Sequence, residues 1–272
     1  MTSGMDWQAQ VGRTWADNFA LTDRSFAGLT QRLLERVGER AGGAVLDVGC
    51  GAGELALAVA RQRPGARVIG VDVSPDLIEA AQARGGRHGN AEFVLADAAN
   101  WRMAGFDPDL VISRHGVMFF DDPVAAFANL RHGALSGASL VFSCFRSPAE
   151  NQWASSIARL LDLPPAADPY APGPFAFADA DRVKAILDDA GWREIEFEPV
   201  DFAYVAGVGE DPVADALHFF RRIGPAAPAL RALEGKAREL AEGRIREWLE
   251  DHRSGNLVAL SAAAWIASAR KS

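Results

Sequence analysis

Val45-Leu46-Asp47-Val48-Gly49-Cys50-Gly51-Ala52-Gly53-Glu54 decides how this chain is read. An apolar run meets three alternate glycines, and an Ala/Leu-rich segment follows. The pattern predicts a strand, a tight loop and a helix. Such a turn brings backbone N–H groups and the positive end of a helix up to a polar or acidic ligand. Dinucleotide folds carry G-x-G-x-x-G, whose last glycine lets helix and strand pack closely. Here the glycines run G-x-G-x-G, and Glu54 stands where that last glycine belongs. Asp47 places an acid within the strand end itself.

The residues downstream keep the same rhythm. Arg67 to Asp72 predicts a second strand ending in a carboxylate. Asp72 follows the glycines at about the spacing at which an acid meets a ribose hydroxyl pair. A carboxylate suits that task because it accepts two hydrogen bonds from a cis-diol. Ser74-Pro75 predicts a helix start, as N-cap and first helical residue. Glu92 to Ala98 predicts a third strand, with Asp97 near its end. A fourth strand is expected at Asp109 to Ser113 and a fifth at Ser139 to Phe145, with Asp122-Pro123 starting the helix between them. Strands that alternate with helices make a parallel sheet covered on both faces.

The glycine loop and the three strand-end acids resemble those of the class I S-adenosylmethionine (SAM) methyltransferases. The resemblance covers most of the chain. It implies an α/β, Rossmann-like seven-stranded sheet, mostly parallel with the last strand antiparallel, helices on both faces and a helical cap. It implies that SAM is the cofactor and S-adenosylhomocysteine the product. Gly49, Gly51 and Gly53 would cradle the cofactor, and Asp47 would order the loop and approach the amino group. Asp72, with Val73, would meet the ribose. Asp97 would accept from the adenine amino group while the backbone of Ala98 meets the ring. Each of these acids also has a plain structural use as a turn or cap residue.

Ser113 to Phe120 follows the fourth strand, where open α/β sheets bind ligands. In the family this segment lines the methionine part of SAM, which places Ser113 by the cofactor and His115 and Met118 by the acceptor. His115 is a candidate general base, since an unperturbed imidazole titrates near neutrality; the alternative is a pocket-filling ring. Trp7 to Leu34 is expected to form helices over the cofactor, so that residues 1–40 make a lid. Within it Trp15 either covers the sulfonium by cation–π attraction or packs on the sheet, with Asn18 beside it. Two segments, 147–177 and 205–255, break the βα rhythm and are expected to cap the active face. Trp153 and Phe175 in the first and Phe219 in the second are candidates for substrate contact, or for an ordinary helical core. Asp179 to Ala190 predicts a helix stopped by Gly191, Glu194 to Phe202 a strand, and Ala263 to Arg270 the last strand.

Composition narrows the function. With 272 residues and about half of them hydrophobic, the chain is long enough for one large domain or a core plus a cap; the resemblance implies a single methyltransferase domain over residues 1–272. A net charge of −8 argues against nucleic acid and anionic membranes as partners. No Asn/Asp-Pro-Pro-aromatic tetrapeptide follows the fourth strand, unlike many enzymes that methylate nucleic-acid amino groups. A small-molecule acceptor with an oxygen or carbon nucleophile is expected, in a monomer or homodimer. Met1 to Gln10 has no basic start and no apolar run, so no signal peptide is expected. The weakly apolar stretch Leu257 to Ala267 is far short of the ~20 residues a bilayer needs. If the sheet has the family order, one strand separates Cys50 from Cys144, setting their backbones ~10 Å apart, beyond disulfide reach. Reduced thiols and a cytoplasmic location are the expectation. No Cys/His spacing suggests zinc, and no metal is expected. Two alternatives remain: a nicotinamide-dependent oxidoreductase, against which Glu54 and the later acids count, and a SAM-binding protein without transferase activity. Hydrolase chemistry lacks its G-x-S-x-G elbow.

Overall fold

The computed structural model describes residues 7–85 and 89–272. The reading of Met1 to Asp6 lies outside the described residues.

Five strands form the parallel part of one mixed sheet: β1 (Ala44–Val48), β2 (Arg67–Asp72), β3 (Ala91–Leu95), β4 (Leu110–Arg114) and β5 (Ser139–Phe145). β6 (Arg193–Val208), β7 (Arg253–Ser254) and β8 (Leu257–Arg270) complete it. The order is β3-β2-β1-β4-β5-β8-β6, with the two-residue β7 on β8. β8 runs antiparallel to β5 and to β6. The chain leaves β1 towards β2 and β3, then crosses back to place β4 on the other side of β1. Ligands of open α/β sheets bind outside the strand ends at this reversal. Both the Gly49 loop and the Arg114-His115 segment start there.

The central strands are buried on both faces and are accordingly mostly apolar, with Asp47 on β1 and Ser113 and Arg114 on β4 as the exceptions nearest the reversal. Helix α1 (Gln10–Asp17) is followed by α2 (Phe19–Gly38), which buries Phe26, Leu29, Leu33 and Val37 at helical spacing. α3 (Glu54–Gln62) is buried from Leu55 to Ala60, which explains its small side chains. α4 (Pro75–Gly85) takes Ser74 Oγ as its cap acceptor, at 3.4 Å from the amide of Leu77. α5 (Pro123–Gly133) is capped by Asp122, whose carboxylate accepts from the amide of Ala125. α6 (Gln152–Leu160) and α7 (Ala180–Asp189) lie between β5 and β6, with Asp179 capping α7.

Several expected boundaries move. β3 stops two residues before Asp97, so that acid sits in a turn where it accepts from the amide of Ala99. β4 begins at Leu110 and reaches Arg114. The larger correction concerns the last pair. β6 continues six residues past Phe202, and β8 begins six residues before Ala263. Phe145, at the end of β5, pairs with Ala264, so Leu257 to Ala263 run beyond the parallel strands. Their partners on β6 are Asp201 to Val208. This hairpin overhangs the ligand-binding edge of the sheet. The segment 205–255 therefore starts inside a strand; its helices α8 (Pro212–Phe220), α9 (Ala226–Arg231) and α10 (Gly235–Glu250) hang from the overhang. Among the described residues no helix is long and apolar enough to cross a membrane. Cys50 and Cys144 are both free and buried.

Candidate active site

The glycine loop is shaped by close approach. Gly49 and Gly51 have φ of +63° and +54°, a region that disfavours side chains. A Cβ on Gly49 would lie 2.8 Å from the Cα of Gly116, so the β1 and β4 loops touch backbone to backbone. A Cβ on Gly51 would meet nothing within 4 Å, because that glycine faces a cavity. The carboxylate of Asp72 ties the loop down. One oxygen accepts from the amide of Gly51 and the other from that of Ser74, both at 2.9 Å. Each oxygen keeps a lone pair for a further donor. Burial raises the Asp72 pKa, offset by those backbone donors.

Asp47 is the exceptional group. It is 1% exposed, and among the described residues neither carboxylate oxygen has a hydrogen-bond partner. Burial pushes its pKa up to about 7, against the downward pull of Arg114. An unpaired buried carboxylate is costly, and this one opens onto the cavity. It is suited to a cationic ligand group.

The cavity has a volume of about 1480 Å³ and runs from the strand ends to the helices beyond β5. Asp47, Gly49, Gly51, Asp72, Val73, Asp97 and Ala98 line one part, and Trp15 stands across from them. His115, Met118, Trp153 and Phe175 line the other. Four expected contacts fall elsewhere. The side chain of Asn18 donates back to the carbonyl of Thr14 at the α1–α2 junction. Ser113 is fully buried, its hydroxyl donating to Val48 O at 2.7 Å and accepting from the amide of Gly116. Gly53 packs inward, where a Cβ would meet the Phe93 ring at 2.8 Å. Phe219 is fully buried behind Tyr204, with their ring centroids 5.8 Å apart. Tyr204, on the overhang of β6, lines the cavity in its place.

His115 has φ of +58°, rare for a residue with a side chain. Its ring stacks on Phe145 with centroids 4.0 Å apart and lies 5.3 Å from Phe26. Both ring nitrogens are buried without a partner among the described residues. Burial first, and the charge of Arg114 second, push its pKa down to about 3. The expectation of a base titrating near neutrality is corrected in this respect: burial makes the ring a poorer proton acceptor than a free imidazole. Trp153 extends the aromatic wall, 4.9 Å from Phe145 and 5.5 Å from Phe175.

A charged cluster supports the loop from behind. Arg114, at the end of β4, pairs with Glu54 at the start of α3, and donates to Thr30 Oγ1 at 2.8 Å. Asp23 of α2 lies 3.5 Å from Arg114 and 2.7 Å from Arg84, which also donates to the carbonyl of Ala52. Sequence reading assigned no role to Asp23, Arg84 or Arg114. Glu54 was conspicuous only as a departure from the dinucleotide pattern; its partner on β4 explains it.

A family model described as "Methyltransferase domain" matches residues 45–134, the span from β1 to the end of α5. That match falls on the loop, the three acids and the sheet reversal just described. Residues 45–134 are thus similar to the methyltransferase domain. Trans-aconitate 2-methyltransferase of Methylobacterium radiotolerans is 39% identical over 90 residues, a third of each chain. The O-methyltransferase resE of Aspergillus sclerotiorum is 26% identical over 181 residues, 63% of this chain and 64% of that one. The chain matches less than two thirds of the length of either relative. The phosphoethanolamine N-methyltransferase 2 of Haemonchus contortus, solved with S-adenosyl-L-methionine, matches 90% of this chain and 53% of its own, at 15% identity and a TM-score of 0.52. That likeness extends the methyltransferase fold beyond residues 45–134.

Proposed function

We propose that this chain transfers a methyl group from SAM to an oxygen or carbon nucleophile of a small molecule. The observation that carries the reading is Asp47, buried and unpartnered beside glycines that open onto a large cavity. Its carboxylate would hold the amino group of the cofactor. The free lone pairs of Asp72 suit the ribose hydroxyls, and Asp97 with Ala98 the adenine. Pockets for one ligand usually span ~300–1,000 Å³, so a cavity of about 1480 Å³ has room for cofactor and acceptor together.

When bound, SAM supplies an electrophilic methyl group on a sulfonium. The protein's work is then alignment and exclusion of water. His115, Phe145, Trp153 and Tyr204 form an apolar end against which an acceptor is held. A neutral His115 nitrogen can accept a hydrogen bond from an acceptor hydroxyl and fix its direction of attack. Residues 1–40 act as the cofactor lid, and helices within 147–177 and 205–255 as the substrate cap. An O-methyltransferase among the relatives supports an oxygen nucleophile.

Calorimetry with SAM, S-adenosylhomocysteine and NADH tests the cofactor. SAM should bind and NADH should not; NADH binding without SAM binding overturns the reading. Mass-detected methyl transfer into metabolite extracts then tests the reaction. SAM binding without any methylated product would leave a SAM-binding protein rather than a transferase.

A further inference from the structure

The charges on the cavity wall are sorted by place. Asp47, Asp72 and Asp97 stand at or beside the strand ends, Asp23 and Glu54 beside Arg114, and Asp121 and Asp122 at the start of α5. Among the described residues, every lining carboxylate thus lies between residues 23 and 122. Beyond Phe145 the described lining holds no acid. Its only charged members there are Arg222, just after α8, and Arg231, the last residue of α9. The lining residues between them in sequence carry no charge, Ile223, Pro225 and Pro228 among them.

Both arginines are exposed at the cavity mouth. Arg222 reaches His218, donating to Nδ1 at 2.9 Å and to the carbonyl at 3.2 Å. Among the described residues neither guanidinium has a carboxylate partner, whereas the neighbouring Arg221 is paired with Glu242. In a chain with a net charge of −8, two arginines in an otherwise apolar stretch of the cavity lining, neither with a carboxylate partner among the described residues, are a local reversal of sign. The acidic half suits a cofactor bearing a sulfonium and an ammonium. The other half suits an anion attached to an apolar body.

We infer that the methyl acceptor is an apolar, ring-sized or larger molecule carrying a carboxylate, which Arg222 and Arg231 bind at the cavity mouth while its nucleophile reaches His115. This rests on the methyl-transfer reading, and deepens it by naming the acceptor's charge and shape. A methyl ester of the same body lacks the charge and should bind less well. Arginine–carboxylate hydrogen bonds are among the stronger polar contacts, so a preference of about tenfold or more is expected.

The test uses binding of 2-naphthoate and of methyl 2-naphthoate to the full chain, with and without S-adenosylhomocysteine. The acid should bind at least about tenfold tighter than the ester. The preference should shrink between low and high salt. It should vanish in the double variant Arg222→Ala/Arg231→Ala, and be largely kept in Arg222→Lys/Arg231→Lys. Thermal melting of both variants checks that the fold is intact. Equal binding of acid and ester, absence of acid binding, or a preference that survives the double alanine variant overturns the inference. Failure of S-adenosylhomocysteine to bind overturns the methyl-transfer reading instead, and the naphthoate comparison stands apart from it.

Discussion

Asp47 and His115 carry opposite mismatches with their surroundings. Asp47 is a carboxylate that burial holds near a pKa of about 7, far above the ~3.9 of a free aspartate. Its folded-state pKa is raised, so the folded chain keeps a proton that the unfolded chain releases. Stability of the ligand-free protein from this group therefore falls as pH rises from about 4 through about 7. A bound ammonium favours the charged form and must expel that proton. SAM affinity should consequently rise about tenfold between pH 6 and pH 8 and level off above. Calorimetry across that range checks it, and Asp47→Asn should bind more weakly with a flat profile. A flat profile in the wild-type chain would mean that another group receives the cofactor's amine. His115 is the converse case, an imidazole kept neutral by burial and by Arg114. At saturating SAM the turnover should show no histidine inflection between pH 6 and 9. His115→Ala should still lower turnover about 5- to 100-fold, the worth of one buried hydrogen bond of ~1–3 kcal/mol. A neutral-pH inflection lost in that variant would restore the general base.

Elements meet at the active edge through Arg114. Its guanidinium joins β4 to α3 by Glu54 and to α2 by Asp23 and Thr30. The same Asp23 holds Arg84 of α4. Cofactor loop and N-terminal helix are thus fastened to one another by charges, with side chains 16–25% exposed. Removing one member of a largely buried pair strands the other, at a cost of about 3–5 kcal/mol. Arg114→Met should fall near the lower figure, because some solvent reaches the group, and should loosen the glycine loop proposed to bind SAM. Urea unfolding measures the first effect and SAM titration the second. A loss under about 1 kcal/mol would class the pair with surface salt bridges. None of this cluster was legible in the sequence. Its partners are separated by 32 to 91 residues along the chain, as Arg84 is from Ala52 and Arg114 from Asp23, and only the folded sheet brings them together. The glycine loop was legible because its chemistry is local: spacing, an adjacent acid and the helix that follows. Whether a residue such as Ser113 or Gly53 faces the cavity or the core depends on side-chain direction, which spacing does not encode.

At the scale of the molecule, the parallel strands were read correctly from apolar runs bounded by turn residues. The overhang of β6 and β8 was missed for a physical reason. Its β8 half, Leu257 to Ala263, is rich in alanine, a weak strand former, and its β6 half carries a register shift near Gly207. Yet the overhang determines the cavity. It carries Tyr204, supports α8, and makes one wall against α2, where Phe26 and Tyr204 lie 5.6 Å apart. The cavity is consequently built from the N-terminal helices, the strand ends and the C-terminal helices at once. A ligand that fills its cofactor half touches the first two and binds only the folded chain. At a hundred times its dissociation constant such a ligand adds about 2.7 kcal/mol. For chains of this size each kcal/mol raises the melting temperature by about 2–4 °C. SAM should therefore raise it by about 5–10 °C, in a single transition, while NADH at the same concentration leaves it unchanged. Scanning calorimetry distinguishes the outcomes. A shift with NADH would return the glycine loop to the dinucleotide class, and two separate transitions with SAM would show that the C-terminal helices fold apart from the cofactor core.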